Sequence, residues 1–167
     1  MATSMRAAAS VTVDRPIEDV FAYLADGRNM HEWVSGVGEV AVVEGTPGTA
    51  DAVYEYDYTD GGRTERMRTT ATTFEHPTRL VLDGESASYP FESDLRLADR
   101  DGGTHVTFRL AAGADGAFTR AVFTLFAPLL RRFMRKRMTT ELEALRANVE
   151  REAVDPSADA ADSPPRP

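Results

Sequence analysis

The 167-residue chain has no cysteine, so disulfides, thiolate metal sites and thiol nucleophiles are excluded, and an intracellular protein is the natural reading. Redox chemistry by the chain itself is excluded with them. No window approaches the ~20 apolar residues of a membrane span. The opening "MATSMRAAASVTVDRP" lacks the charged-then-apolar segment of a secretory signal, so the expected location is the cytoplasm. Lysine is nearly missing as well: Lys136 is the only one, and the other cations are arginines. Acids outnumber bases 27 to 19, for a formal net charge of -8. From Glu152 onward the chain holds four acids and one arginine, which leaves about -5 on the rest. Nucleic acid is therefore not an expected partner. The arginine bias and the acidity fit a GC-rich genome and a salt-adapted, halophilic host, because solvated carboxylates keep a surface soluble.

Chemical motifs are equally sparse. The three histidines, His31, His76 and His105, show no metal-ligand spacing, and the expectation is three surface imidazoles with no metal and no cofactor. A nucleophile elbow, a phosphate-binding glycine loop and a dinucleotide fingerprint are missing, and "DGG" and "DGGTH" read as turns.

What is present is a clear order of elements. Residues 8–13 read as a strand that stops at Pro16. Ile17, Val20, Phe21 and Leu24 then give one buried helical stripe, with Glu18 and Asp19 favoured in the first turn by the helix dipole. Asp26 can cap a second short helix that carries Met30 and Trp33 inward and ends at Gly36 and Gly38. Between Val37 and Leu110 the turn signals "EGTPGTAD", "DGG", "EHPTR", "DGES" and "ADRDGG" separate six antiparallel strands in meander order. From about Asp115 a long helix is expected, with Phe118, Val122, Phe126, Leu129, Phe133, Met138, Leu142, Leu145 and Val149 on or near one stripe. Pro128 should kink or divide it. One domain over residues 1–151 is expected, followed by a disordered acidic tail over 152–167 rich in proline and alanine.

This order is that of the helix-grip fold, an α+β architecture in which a curved antiparallel sheet of about seven strands wraps a long C-terminal helix. The segment "VTVDRPIEDVFAYLADGRNMHEWVSGV" resembles the opening of the START-like (SRPBCC) superfamily, in its polyketide cyclase/dehydrase and lipid-transport branch. "FEHPTRLVL" resembles the strand-Pro-Arg-Leu turn of that branch, and "FAPLLRRFMRKRMTTELEALRANVE" its closing helix. Arg15 departs from the pattern, standing at the helix N-cap where a small or polar residue is more usual. The resemblance spans about residues 8–150 and implies a mostly apolar cavity between sheet and helix that binds, and could transport, a small hydrophobic molecule. It leaves open two alternatives: a cyclase or dehydratase acting on an aromatic or polyketide-like substrate, and a helper that binds another protein through the long helix.

Within that frame "YEYDY" gains a meaning. Tyr54, Tyr56 and Tyr58 share one face of a strand while Glu55 and Asp57 take the other. Each phenol offers a wide ring and one hydroxyl that needs a partner when buried. The expected ligand-binding set is Trp33, Tyr54, Tyr56, Tyr58, Tyr89, Phe91, Phe108 and Phe126, and no catalytic residue stands out. For the tyrosines plain sheet packing is the competing reading, and Trp33 could equally anchor the second helix. Arg68 shares the phase of Arg66, Thr70 and Thr72, so Met67, Thr69 and Ala71 are the expected inner set. The cluster Arg131, Arg132, Arg135, Lys136 and Arg137 reads either as a solvated helix face, helped by pairs such as Arg137 with Glu141, or as a basic amphipathic surface in transient contact with anionic membrane, with Phe123, Leu130 and Phe133 as its apolar edge.

Overall fold

The computed structural model describes residues 5–87, 89–113 and 117–152, without the side chains of 5, 117–127 and 130. Strand β1 (Met5–Val13) leads into helix α1 (Ile17–Ala25), a 3-10 turn (Gly27–Asn29) and the single helical turn α2 (Met30–Trp33). Six strands follow: β2 (Val37–Glu44), β3 (Val53–Asp60), β4 (Arg63–Glu75), β5 (Arg79–Glu85), β6 (Pro90–Arg100) and β7 (Gly103–Ala112). Helix α3 (Ala117–Glu152) closes the described chain. The strands form one antiparallel sheet in the order β1-β7-β6-β5-β4-β3-β2, so the meander is complete and β1 returns to pair with β7. This is the expected helix-grip arrangement. The tail expected beyond α3 lies outside the described residues.

Local chemistry accounts for the joints. The β3–β4 hairpin turns on Gly61 and Gly62, both at positive φ (56° and 80°), as a two-residue turn matched to strand twist requires. Pro16 caps α1, with its carbonyl accepting from the backbone N–H groups of Asp19 and Val20. The expected cap at Arg15 thus moves one residue on, because proline has no N–H to lose at a helix start. Arg15 instead pairs with Asp19 at 2.5 Å. Asp26 caps the 3-10 turn rather than the α2 helix it was expected to start, its carboxylate accepting from the Arg28 N–H at 3.0 Å, and Asn29 stands at the α2 N-cap. Helix α3 runs through Pro128 without a break, so the expected division does not occur.

The main core joins Val13, Val20, Phe21, Leu80, Leu95 and Val106 to Met138, Leu142, Leu145 and Val149 of α3. These four helix residues recur at spacings of four, three and four, which builds one stripe on the C-terminal half of the helix. The outer face of the sheet carries ion pairs instead: Arg66 with Asp57, Arg68 with Glu55 and Glu44, and Asp94 between Arg79 and Arg96. Burial alone would raise the Asp94 pKa, but hydrogen bonds from Arg96 and Arg79 outweigh it and hold the carboxyl below its usual range. Arg68 therefore points outward, as its phase predicts.

Candidate ligand site

Register decides what lines the inner face. One row runs Val42, Tyr54, Thr69, Gly84, Phe91, Ala112 across β2 to β7. A second runs Ala71, Leu82, Ser93, Leu110, Ala7 across β4 to β1. Ala7, Ala71, Leu82 and Leu110 of the second row pack against the main core, while Tyr54 of the first row belongs to a second apolar cluster of Val40, Ala52, Tyr54, Tyr56 and Met67, against which Met30, Val37, Val42, Tyr58, Tyr89 and Phe91 pack. The ring of Phe91 fills the space over Gly84, where a Cβ would collide with it. Leu82, Phe91, Leu110 and Ala112 face inward yet keep part of their surface accessible, unlike the sealed Leu80, Leu95 and Val106. Apolar groups that are inward but not sealed are what a ligand would cover.

The three tyrosines of β3 have three different surroundings. Tyr54 is sealed, donating to the Ala25 carbonyl at 3.2 Å and accepting from the Gly48 N–H at 3.0 Å. Gly27 lies so close that a Cβ there would sit 2.8 Å from the ring. Tyr54 thus ties the end of α1 and the β2–β3 loop to the sheet. Tyr56 is equally buried, its hydroxyl meeting Thr69 Oγ1 at 3.2 Å. Tyr58 is only half-buried, at the open end of the row, and its phenol is pushed up to about 12 by burial, which the nearby Arg137 charge partly opposes.

Around Tyr58 the rim of the concave face turns polar. Tyr89, half-buried, also has its phenol raised, first by burial and then by the charges of Glu65 and Asp60. Glu65 stands opposite Tyr58 in the β3–β4 register and shares the inner phase of Met67 and Thr69. Helix α3 supplies Arg137, whose guanidinium lies 5.5 Å from the Tyr58 ring centroid, within cation–π range. Arg137 also binds Asp60 at 3.2 Å, Glu141 at 3.0 Å and the Ser35 carbonyl at 2.5 Å. Glu141, 5% exposed, accepts from the Ser35 N–H at 3.1 Å, and burial raises its pKa despite Arg137. The Arg137–Glu141 pair offered by the i, i+4 spacing is thus formed, and it takes Arg137 out of the basic cluster. At 17% side-chain exposure Arg137 is a strut joining α3 to the α2–β2 turn and the tip of β3.

The remaining expected residues fall elsewhere. Trp33 packs edge-to-face on Phe108 at 5.9 Å inside the main core, both rings buried. Phe126 lies in α3, but its side chain is outside those described. His31 and His76 are exposed and His105 is part-exposed beside Thr12; none belongs to a metal-binding group among the described residues. Sequence reasoning missed Gly84, Glu65 and the reach of the Arg137–Glu141 pair to Ser35 and Asp60. The pair itself was legible from its i, i+4 spacing; its distant partners were not, because they arrive from other elements. A groove of about 490 Å³ is lined by Arg68, Asp83, Glu85 and Glu92 together with Gly84, Phe91 and Ala112 of the first row, and neither Tyr58 nor Tyr89 borders it.

A curved seven-stranded antiparallel sheet packed by a long C-terminal helix defines the class: an α+β helix-grip protein. The chain belongs to the polyketide cyclase / dehydrase and lipid transport family, whose model matches residues 4–150. Its fold is similar to the ZhuI aromatase/cyclase from Streptomyces sp. R1128, at TM-score 0.71 and 12% identity over 90% of this chain and 96% of that one. It is similar also to StfQ, a di-domain aromatase/cyclase of the steffimycin biosynthetic pathway, at TM-score 0.67 and 14% identity over 90% of this chain and 52% of that one. SA2116 from Staphylococcus aureus, a protein of unknown function, shares the fold at TM-score 0.72 and 9% identity over 92% and 98% of the two chains. At such identities the likeness is one of fold. No curated protein matches the chain significantly.

Proposed function

We propose that the protein binds a small hydrophobic molecule against the concave face, with Tyr58 and Tyr89 addressing the oxygens of that molecule. The observation that supports this reading most is that Leu82, Phe91 and Leu110 face inward without being sealed, while the half-buried phenols of Tyr58 and Tyr89 pack on the same apolar cluster as Phe91. A phenol whose pKa is raised stays protonated at neutral pH and remains a hydrogen-bond donor. Tyr54 and Tyr56, by contrast, already have partners and belong to the scaffold of the site rather than its contacts. Transport follows if the ligand exchanges with another carrier or phase. Native mass spectrometry of gently purified protein should find one co-purifying apolar molecule. Its loss from Tyr58→Phe and Tyr89→Phe variants, with retention by Tyr56→Phe, is the expected pattern. Retention by all three variants would remove the phenols from the site.

A second reading, a cyclase or dehydratase, draws on one further observation: the Glu65 carboxylate in register with Tyr58. A carboxylate that takes a proton from carbon beside a phenol that polarises a carbonyl is a minimal constellation for such chemistry. Glu65→Gln separates the two readings. An enzyme loses its turnover of a polyketide-like ketone by about 10²-fold or more, whereas a binder keeps its ligand.

A further inference from the structure

The middle of α3 presents an apolar pair where a buried stripe was expected. Leu129 is 68% exposed and Phe133 60% exposed. At about 100° per residue, Phe133, Leu129, Lys136 and Arg132 fall within an arc of ~100°. Met138, Leu142, Leu145 and Val149, which face the sheet, lie on roughly the opposite side. The two exposed apolar side chains therefore point away from the core and are not part of the concave face. Arg131, Arg132, Arg135 and Lys136 are all exposed, and among the described residues none of the four makes an ion pair. Arg137 is spoken for by Glu141 and Asp60, so the free basic cluster is four residues rather than five.

We propose that this face of α3 docks the protein on an anionic membrane surface, with Leu129 and Phe133 entering the headgroup boundary and Arg132 and Lys136, the two free cations on the same arc, meeting lipid phosphates; Arg131 and Arg135 fall on the other side of the helix and are not part of the face. Charge selects the occupant. In a chain of net charge -8 this is a patch of opposite sign, and an acidic surface is its complement. A second copy is disfavoured, since a two-fold interface here would set Arg132 and Lys136 against the same two cations. Nucleic acid would answer the charge but not the two apolar side chains beside these cations. No helix of the described residues is long and apolar enough to cross a membrane, so the contact is one of lying on the surface. Docking extends the binding reading but does not rest on it, because the surface face and the concave face share no residue.

The test is co-sedimentation of the intact protein with vesicles of phosphatidylglycerol or of phosphatidylcholine, at low and at 0.5 M salt. Partition onto phosphatidylglycerol alone, lost at high salt, is expected. Each basic residue near such a surface is worth ~1 kcal/mol, about fivefold in partition, so Arg132→Gln with Lys136→Gln should cut binding about 25-fold. Leu129→Ser with Phe133→Ser should lose it also at low salt, while Arg66→Gln, an exposed control on the outer face of the sheet, should change nothing. These side chains are exposed, so circular dichroism should show every variant folded. Equal binding to both lipids, no binding to either, or unchanged binding by both double variants overturns the proposal. So does preferential capture by soluble polyglutamate or by duplex DNA, which would assign the patch to another polyanion.

Discussion

Tyr54→Phe and Tyr58→Phe delete the same oxygen from opposite surroundings. At Tyr54 the change strands the buried Ala25 carbonyl, while the part-exposed Gly48 N–H can turn to water, and leaving one buried polar group unsatisfied costs about 1–3 kcal/mol. Urea unfolding should show that loss. Gly27→Ala should destabilise by a similar ~1–3 kcal/mol, because the new methyl meets the Tyr54 ring at 2.8 Å in a packed region. At Tyr58 the same substitution should leave the unfolding midpoint nearly unchanged below pH 9 and weaken ligand binding by the ~0.5–1.5 kcal/mol of one hydrogen bond. Alkaline pH separates the two further. The folded pKa of Tyr58, about 12, lies above its ordinary value of 10, so the folded state holds the proton more tightly than the unfolded one. Its contribution to stability is full below pH 10 and is lost as pH rises through 12. The wild type should therefore lose stability more steeply than Tyr58→Phe between pH 10 and 12, as read by unfolding at stepped pH; parallel curves would contradict this surrounding for Tyr58.

At the scale of elements, α3 is held in two ways. Its C-terminal half is sealed by Met138, Leu142 and Leu145, so Leu142→Ala should cost about 2–5 kcal/mol in unfolding free energy. Arg137 and Glu141 add a polar strut to Ser35 and Asp60. Arg137→Ala leaves Glu141 buried with only the Ser35 N–H, and about 2–3 kcal/mol of stability should go, less than for a fully buried pair because Arg137 keeps some exposure. Arg137→Ala should also loosen the Tyr58 rim and weaken binding. A variant that keeps both stability and affinity would show the strut to be incidental. The helix itself was legible from spacing, but its core face only in part. Leu129 and Phe133 add to the apolar count, yet at about 100° per residue they fall on the side opposite Met138, Leu142 and Leu145, which a count along the chain overlooks.

For the whole molecule, alternation and turn chemistry were enough to recover seven strands in order, because each hairpin is a local event: "DGG" needs only its own glycines to reverse the chain. The shared face of Tyr54, Tyr56 and Tyr58 was legible for the same reason. Which of them is sealed was not, since that depends on Gly27, Gly48 and Ala25 approaching from distant elements. The seating of the Phe91 ring over Gly84 was likewise invisible in sequence, because it needs the β5–β6 register that sets the two residues opposite each other. The central claim is that inward-facing Leu110 borders room for a ligand rather than a packed core, and filling that room tests it directly. An anilinonaphthalene dye should saturate the wild type at one site. Leu110→Trp should weaken that binding at least tenfold while moving the unfolding free energy by less than ~1 kcal/mol, since the added ring occupies open space. Unchanged dye binding by Leu110→Trp, or a loss of several kcal/mol in its stability, would contradict the account by showing the face to be elsewhere or already full.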